Sequence, residues 1–126
     1  MVLQVSINQI MSRQIATIAS TENIKTAAKQ MGSQDIGSLF VMREKDVVGI
    51  ITETDIVRHA LAKDLDLTQT KVEEIMSYPV CGIEEMESLD QARRMMGENN
   101  IRHLLVTLKG QPTGVLSARN ILDFAP

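Results

Sequence analysis

The sequence predicts an α+β fold of two β-α-β-β-α repeats packed about a pseudo-two-fold axis through their sheets. Internal self-similarity is the first reason. Sliding the chain over itself by 65 residues places Ile10-Met11-Ser12 on Ile75-Met76-Ser77 and, without a gap, Gly49-Ile50-Ile51-Thr52 on Gly114-Val115-Leu116-Ser117. Of the 48 positions aligned from Ile10 to Val57, 13 are identical. Most of these are apolar or glycine, as at Ile18/Ile83, Ala27/Ala92, Met31-Gly32/Met96-Gly97 and Leu39/Leu104, the types that set packing and turns. Size is the second reason: 126 residues suffice for one compact core, whereas one copy of about 55 residues buries too little surface to be comfortable alone. Packing the two sheets face to face solves that problem.

Each copy runs through the same elements. Ile15 to Ile18 and Val80 to Ile83 are short strand candidates. A helix follows, in which Ile24, Ala27, Ala28 and Met31 recur at helical spacing, as Leu89, Ala92 and Met96 do in the second copy. Asn23 and Ser88 occupy matching N-cap positions, and Ser88 with Gln91 fits a capping box. Two further strands are expected at Leu39 to Met42 and Val47 to Ile51, with counterparts at Leu104 to Leu108 and Thr113 to Leu116, closed by the polar turns Glu44-Lys45-Asp46 and Lys109-Gly110-Gln111. A second helix should run from about Thr54 to Ala62, and a shorter one from about Arg119 to Phe124. The chain thus divides into repeat 1 (1–63), a polar linker with alternate leucines (64–71) and repeat 2 (72–126), together one compact module.

Composition narrows the function. Apolar residues make up 44% of the chain and aromatics only 2%, so the core must be aliphatic and methionine-rich, and there is no Trp to stack on a base or sugar. The net charge of −3 arises from interspersed acids and bases, which argues against a nucleic-acid surface. Cys81, the single cysteine, has no partner for an internal disulfide, and there is no Cys/His spacing of the zinc type. No stretch approaches the roughly 18 apolar residues of a membrane span, so a cytoplasmic protein with no membrane partner is expected. Nothing suggests catalysis either: there is no nucleophile with a positioned base, no metal-ligand cluster and no Gly-rich phosphate loop. Glu84, Glu85 and Glu87 read as ordinary acid enrichment at a helix N-terminus.

The Ile-Met-Ser opening of each copy, the Gly37-Ser38-Leu39-Phe40-Val41 and Arg102-His103-Leu104-Leu105-Val106 strands, and above all Gly49-Ile50-Ile51-Thr52-Glu53-Thr54-Asp55 resemble the tandem CBS (cystathionine-β-synthase) domain pair, the Bateman module, over essentially the whole chain. The last run looks like that family's nucleotide motif, Gly-h-h-Thr/Ser-x-x-Asp with h apolar. The resemblance implies a regulatory module that senses an adenine nucleotide (AMP, ADP, ATP or a related adenosyl ligand) in a cleft between the repeats. No cofactor is required beyond that regulatory ligand. In such modules the motif's Asp binds both ribose hydroxyls and its Thr or Ser approaches the phosphate. The chemistry is sensible, because a carboxylate can accept two hydrogen bonds from a vicinal diol.

Carried over residue by residue, the resemblance assigns one cleft to Thr52 and Asp55 with Val80, Cys81, Arg102 and His103, the last two standing where the family commonly has His-Arg in the opposite order. Its sibling would use Ser117 and Asn120 with Ile15, Ala16, Gly37 and Ser38. Asn120 replaces the ribose carboxylate and Gly37-Ser38 removes the basic pair, so this second cleft is expected to be degenerate.

Ligand-free explanations stand beside these assignments. Thr52 with Asp55 is also a complete helix cap, Arg102 and His103 could be a solvated rim, Cys81 a small apolar strand residue, and His59 receives no role. A structural or protein-interaction module with vestigial clefts is therefore the alternative function, and an enzyme acting on the bound nucleotide a third. A homodimer is expected through helical faces carrying Met31, Met95, Met96, Val57 and Leu61, as CBS pairs commonly form.

Overall fold

The computed structural model describes residues 5–124, so the outermost positions of the two expected repeats, 1–4 and 125–126, lie outside it. The chain forms two compact units. The first is Ala16–Val80, and the second combines the chain up to Ile15 with everything from Cys81 onward.

In the first unit the order is β1 (Thr17–Ala19), α1 (Ile24–Gln34), β2 (Ser38–Arg43), β3 (Asp46–Thr52) and α2 (Glu53–Ile56), whose axis continues as a π-helical turn over Val57–Leu61. The second repeats it as β4 (Gly82–Glu84), α3 (Leu89–Asn99), β5 (His103–Leu108), β6 (Gln111–Ser117) and α4 (Ala118–Phe124). Each unit holds a three-stranded sheet with the hairpin's first strand in the middle, β1-β2-β3 and β4-β5-β6. The outer β1 runs parallel to β2 with Thr17 opposite Phe40, and β4 runs parallel to β5 with Gly82 opposite Leu105. The hairpins are antiparallel, pairing Ser38 with Thr52 and His103 with Ser117, and each ladder shifts register at the same repeat position, after Val41 and after Val106. The sequence repeat is therefore repeated in backbone detail.

Local chemistry explains the helix boundaries. Asn23 Oδ1 accepts from Thr26 N at 2.8 Å and Ser88 Oγ from Gln91 N at 3.1 Å, each satisfying an amide that the first helical turn leaves without a partner. For Ser88 this is the half of the expected capping box that forms. Both helices end on a left-handed residue, Asp35 and Asn100, each at φ 53°, whose N–H groups return to Met31 O and Met96 O. Asp and Asn tolerate that conformation better than other non-glycine residues. Their buried faces (Ile24, Ala27, Met31; Leu89, Ala92, Met96) pack on sheets whose central strands bury Leu39, Phe40 and Val41 or Leu104, Leu105 and Val106.

The folding unit differs from the sequence repeat at its start. Val72 and Ile75, from the second copy's sequence, are buried in the first unit's core, whereas Ile7 and Met11 are buried in the second's. These lead-in segments dock by reciprocal backbone bonds. Ser77 N donates to Ile50 O at 2.8 Å and Ile50 N to Ser77 O at 3.0 Å, while Ser12 and Val115 exchange the same pair at 2.9 Å. Such close approach requires glycine beside it: a Cβ on Gly49 would collide with Met76 Sδ, and one on Gly114 with the backbone oxygen of Ser12. The first strands consequently begin two residues later than the sequence suggests, because Ile15 and Val80 close the lead-in segments. Ala16 and Cys81 contribute only a carbonyl each, to Phe40 N and Leu105 N. The polar stretch 64–71 is also part of the first unit, since Lys25 N donates to Leu67 O and Ile24 N to Thr70 O, and Leu67 packs against the core.

Candidate functional site

In the first unit the sheet delivers Thr52 at the last residue of β3, in extended geometry (φ −119°, ψ 165°), and α2 starts at the next residue. A box closes around the turn. Asp55 N donates to Thr52 Oγ1 at 3.1 Å, and Thr52 N donates to Asp55 Oδ2 at 3.0 Å. Glu53 N is satisfied by Gly37 O at 3.1 Å. The acids Glu53 and Asp55 sit in the first turn, where the helix dipole favours negative charge. Asp55 is only 5% exposed, and its other oxygen is also engaged: Ser77 Oγ donates to Oδ1 at 3.0 Å. Burying a carboxylate is costly unless it is hydrogen-bonded, and these two bonds use two of about four acceptor positions.

The second unit builds the same turn with an amide. Asn120 N donates to Ser117 Oγ at 3.0 Å and Ser117 N to Asn120 Oδ1 at 2.9 Å. Ser12, the repeat partner of Ser77, behaves differently. Although its backbone bridge is the same, its hydroxyl accepts from Gln14 N at 3.3 Å. The carboxylate-hydroxyl pair therefore belongs to the first unit.

In the first unit Ala16, Gly37 and Ser38 lie near the Thr52 end of the sheet, with Ser38 paired to Thr52, and Val80 is its half-buried last residue. In the second unit Arg102 and His103 lie beside Ser117: His103 pairs with it across the hairpin, and Ala118 N donates to Arg102 O at 2.8 Å. Arg102 is exposed, His103 and Cys81 are half-buried, and Ile15 ends the second unit's lead-in segment. An open groove of about 320 Å³ lies elsewhere on the first unit, between α1 and α2, with Met31, Gly32, Ile36, Ile56 and Val57 in its walls. It includes neither Thr52 nor Asp55. Among the described residues no three His, Cys, Asp or Glu side chains converge as metal ligands, and no helix is long and apolar enough to cross a membrane.

Two residues carry more than sequence reasoning gave them. Ser77 was legible only as part of the repeated Ile-Met-Ser, which marks its position but not its contact with Asp55. Glu85 is not ordinary helix-end enrichment: it is 7% exposed. Its Oε2 accepts from Thr113 Oγ1 at 2.8 Å and lies 3.5 Å from the Arg13 guanidinium. Asn8 N also donates to its backbone oxygen, so Glu85 ties the second unit's lead-in segment to its sheet. The repeat partner of Glu85 is Ser20, and the two sequences alone offer no reason for one acid to be buried.

Two β-α-β-β-α units, each with a capped strand-to-helix turn, define a tandem module of the regulatory or ligand-binding class. The chain belongs to the CBS domain family, whose pattern matches residues 7–62 and 72–126. It is 32% identical over 124 residues to an uncharacterized protein of Methanopyrus kandleri, a match covering 97% of this chain and 63% of the longer relative. A CBS-domain protein of Burkholderia ambifaria superposes with a TM-score of 0.91 at 30% identity, covering 94% of this chain and 92% of the other. The hexameric CBS-CP12 protein of bloom-forming cyanobacteria superposes with a TM-score of 0.89 at 26% identity, covering 98% of this chain and 73% of the other.

Proposed function

We propose that this module senses an adenosine-containing ligand (AMP, ADP, ATP or a related adenosyl compound) through the Thr52/Asp55 half-site and regulates a protein partner rather than catalysing a reaction. The observation that carries this reading is the state of Asp55. It is a carboxylate at the strand-to-helix turn, fixed in direction by Thr52 N, whose other oxygen is held by the hydroxyl of an exposed serine. Arg102 and His103 are the residues the family resemblance assigns to the phosphates, with Val80 and Cys81 beside the base. Asn120 lacks the charge, so the sibling site with Ser117, Ile15, Ala16, Gly37 and Ser38 is the weaker one. A reducing, cytoplasmic setting belongs to this reading, because Cys81 has no cysteine partner within the chain.

Calorimetry with AMP, ADP and ATP tests it. Asp55→Asn is the informative variant, because the second unit already builds the same turn with Asn120. The fold should therefore persist with a nearly unchanged ligand-free melting temperature. Losing a charged acceptor for the ribose should weaken binding by about 1.5–3 kcal/mol, or roughly ten- to a hundredfold. Equal binding by both proteins would remove Asp55 from the site.

The second reading, an interaction module with vestigial clefts, is favoured by the same box being satisfied without a ligand. It predicts no adenosine binding at all. In either case we propose a homodimer through the helical side. Val57 and Leu61 are 55% and 53% exposed there, beside the groove that has Met31 and Ile56 in its walls.

A further inference from the structure

We infer that Ser77 is a gate on Asp55, so that adenosine binding and the latching of the lead-in segment onto α2 compete for one carboxylate oxygen. This rests on Asp55 being the ribose acceptor. Of the two carboxylate oxygens, Oδ2 is tied to the cap through Thr52 N, and Oδ1 takes the hydroxyl of Ser77. Asp55 is buried while Ser77 is exposed, so Ser77 occupies the solvent side of the pair. A diol that bonds both carboxylate oxygens must therefore meet the Ser77 hydroxyl. Rotating that hydroxyl away opens Oδ1 and leaves the lead-in segment held at Ser77 by its backbone bonds to Ile50 alone, which then open more often.

The second unit indicates that the latch is not needed for docking. Ser12 occupies the same bridge position, is held by the same pair of backbone bonds, and turns its hydroxyl to Gln14 instead. A contact dispensable in one copy and present only where the acid stands is suited to a switch. Because the two events share Asp55, the coupling is reciprocal: ligand weakens the latch by the factor that the latch weakens ligand.

The test is AMP affinity by calorimetry for wild type, Ser77→Ala, Ser77→Thr and Asp55→Asn, with amide hydrogen exchange at residues 72–77. Ser77→Ala should bind AMP about three- to tenfold more tightly, the net worth of one ordinary hydrogen bond made by an exposed hydroxyl. Ser77→Thr keeps the hydroxyl and should match wild type. AMP should speed exchange of the Met76 and Ser77 amides in wild type, and much less in Ser77→Ala, where the latch is already absent. A merely structural hydroxyl would not tighten binding on removal. Unchanged or weaker binding by Ser77→Ala overturns the gate, even where Asp55→Asn loses AMP and the half-site stands. Equal behaviour of Ser77→Thr and Ser77→Ala overturns it too. Equal AMP binding by wild type and Asp55→Asn, or none by wild type and Ser77→Ala, overturns both the half-site and the gate.

Discussion

Gly49 and Gly114 are single residues whose identity is fixed by a neighbour distant in sequence. Both were visible as repeat positions, yet their cause was not, because it lies in strands that meet lead-in segments Met11-Ser12 and Met76-Ser77. The two sites differ in what a methyl group would strike. At Gly49 the nearest atom is the flexible end of Met76, whereas at Gly114 it is the backbone oxygen of Ser12. Gly114→Ala should therefore be the costlier change, by about 1–3 kcal/mol, as overpacking usually is. Urea unfolding of the two alanine variants checks this, and an equal loss would show that Ser12 retreats as easily as the Met76 side chain. Asp66 supplies a pH-dependent residue. The Thr68 hydroxyl and then its amide donate to the Asp66 carboxylate at 2.7 and 2.9 Å, and hold its pKa below the ordinary value. A depressed carboxylate stabilises the fold above its unfolded pKa and loses that contribution as pH falls through the lowered folded value. The Asp66 carboxyl resonance should accordingly titrate below the normal Asp range and move back up in Thr68→Ala. Titration at the ordinary value in both proteins would show that the turn does not hold the charge.

Among the elements, the first helices and the hairpin strands were legible because periodicity and capping agreed. Asn23 and Ser88 begin α1 and α3 where side-chain chemistry says they should, and Leu39, Val41, Leu104 and Val106 are core residues. The helix after Thr52 was legible in extent but not in winding, since Val57–Leu61 is π-helical and no residue type there signals it. Gly32 and Gly97 raise a different question. Both are exposed inside regular helices, and a Cβ at either would meet nothing within 4 Å, so the unit itself gives no reason for a residue that costs a helix roughly 0.5–1 kcal/mol relative to Ala. Close approach of a second copy is a reason, and Gly32 borders the apolar groove. Gly32→Ala should raise the melting temperature of dilute monomer while shifting the association equilibrium toward the monomer. Light scattering across a concentration series measures the second effect. Stabilisation with unaltered association, or a 14.0 kDa species at every concentration, would remove Gly32 from any dimer contact.

At the scale of the molecule, the repeat read along the sequence and the unit that folds are offset by one lead-in segment. No pattern in a single sequence exposes that offset, because Ile7, Met11, Val72 and Ile75 are apolar residues in short segments that would suit either sheet. The consequence is testable by cutting the chain in two ways. A fragment of residues 16–80 keeps Val72 and Ile75 with the core they fill, together with Leu67 and the bonds from Ile24 and Lys25 to the 67–70 stretch. A fragment of residues 1–63 is nearly the same length but lacks all of these. Burying each of two aliphatic side chains is worth about 1.5–3 kcal/mol, so their loss alone removes about 3–6 kcal/mol. A unit this small has a margin of only about 5 kcal/mol, the low end for a native domain. Circular dichroism with urea titration should therefore show a cooperative transition for 16–80 and none for 1–63. The reverse order, or equal transitions, would mean that each lead-in segment folds with its own repeat.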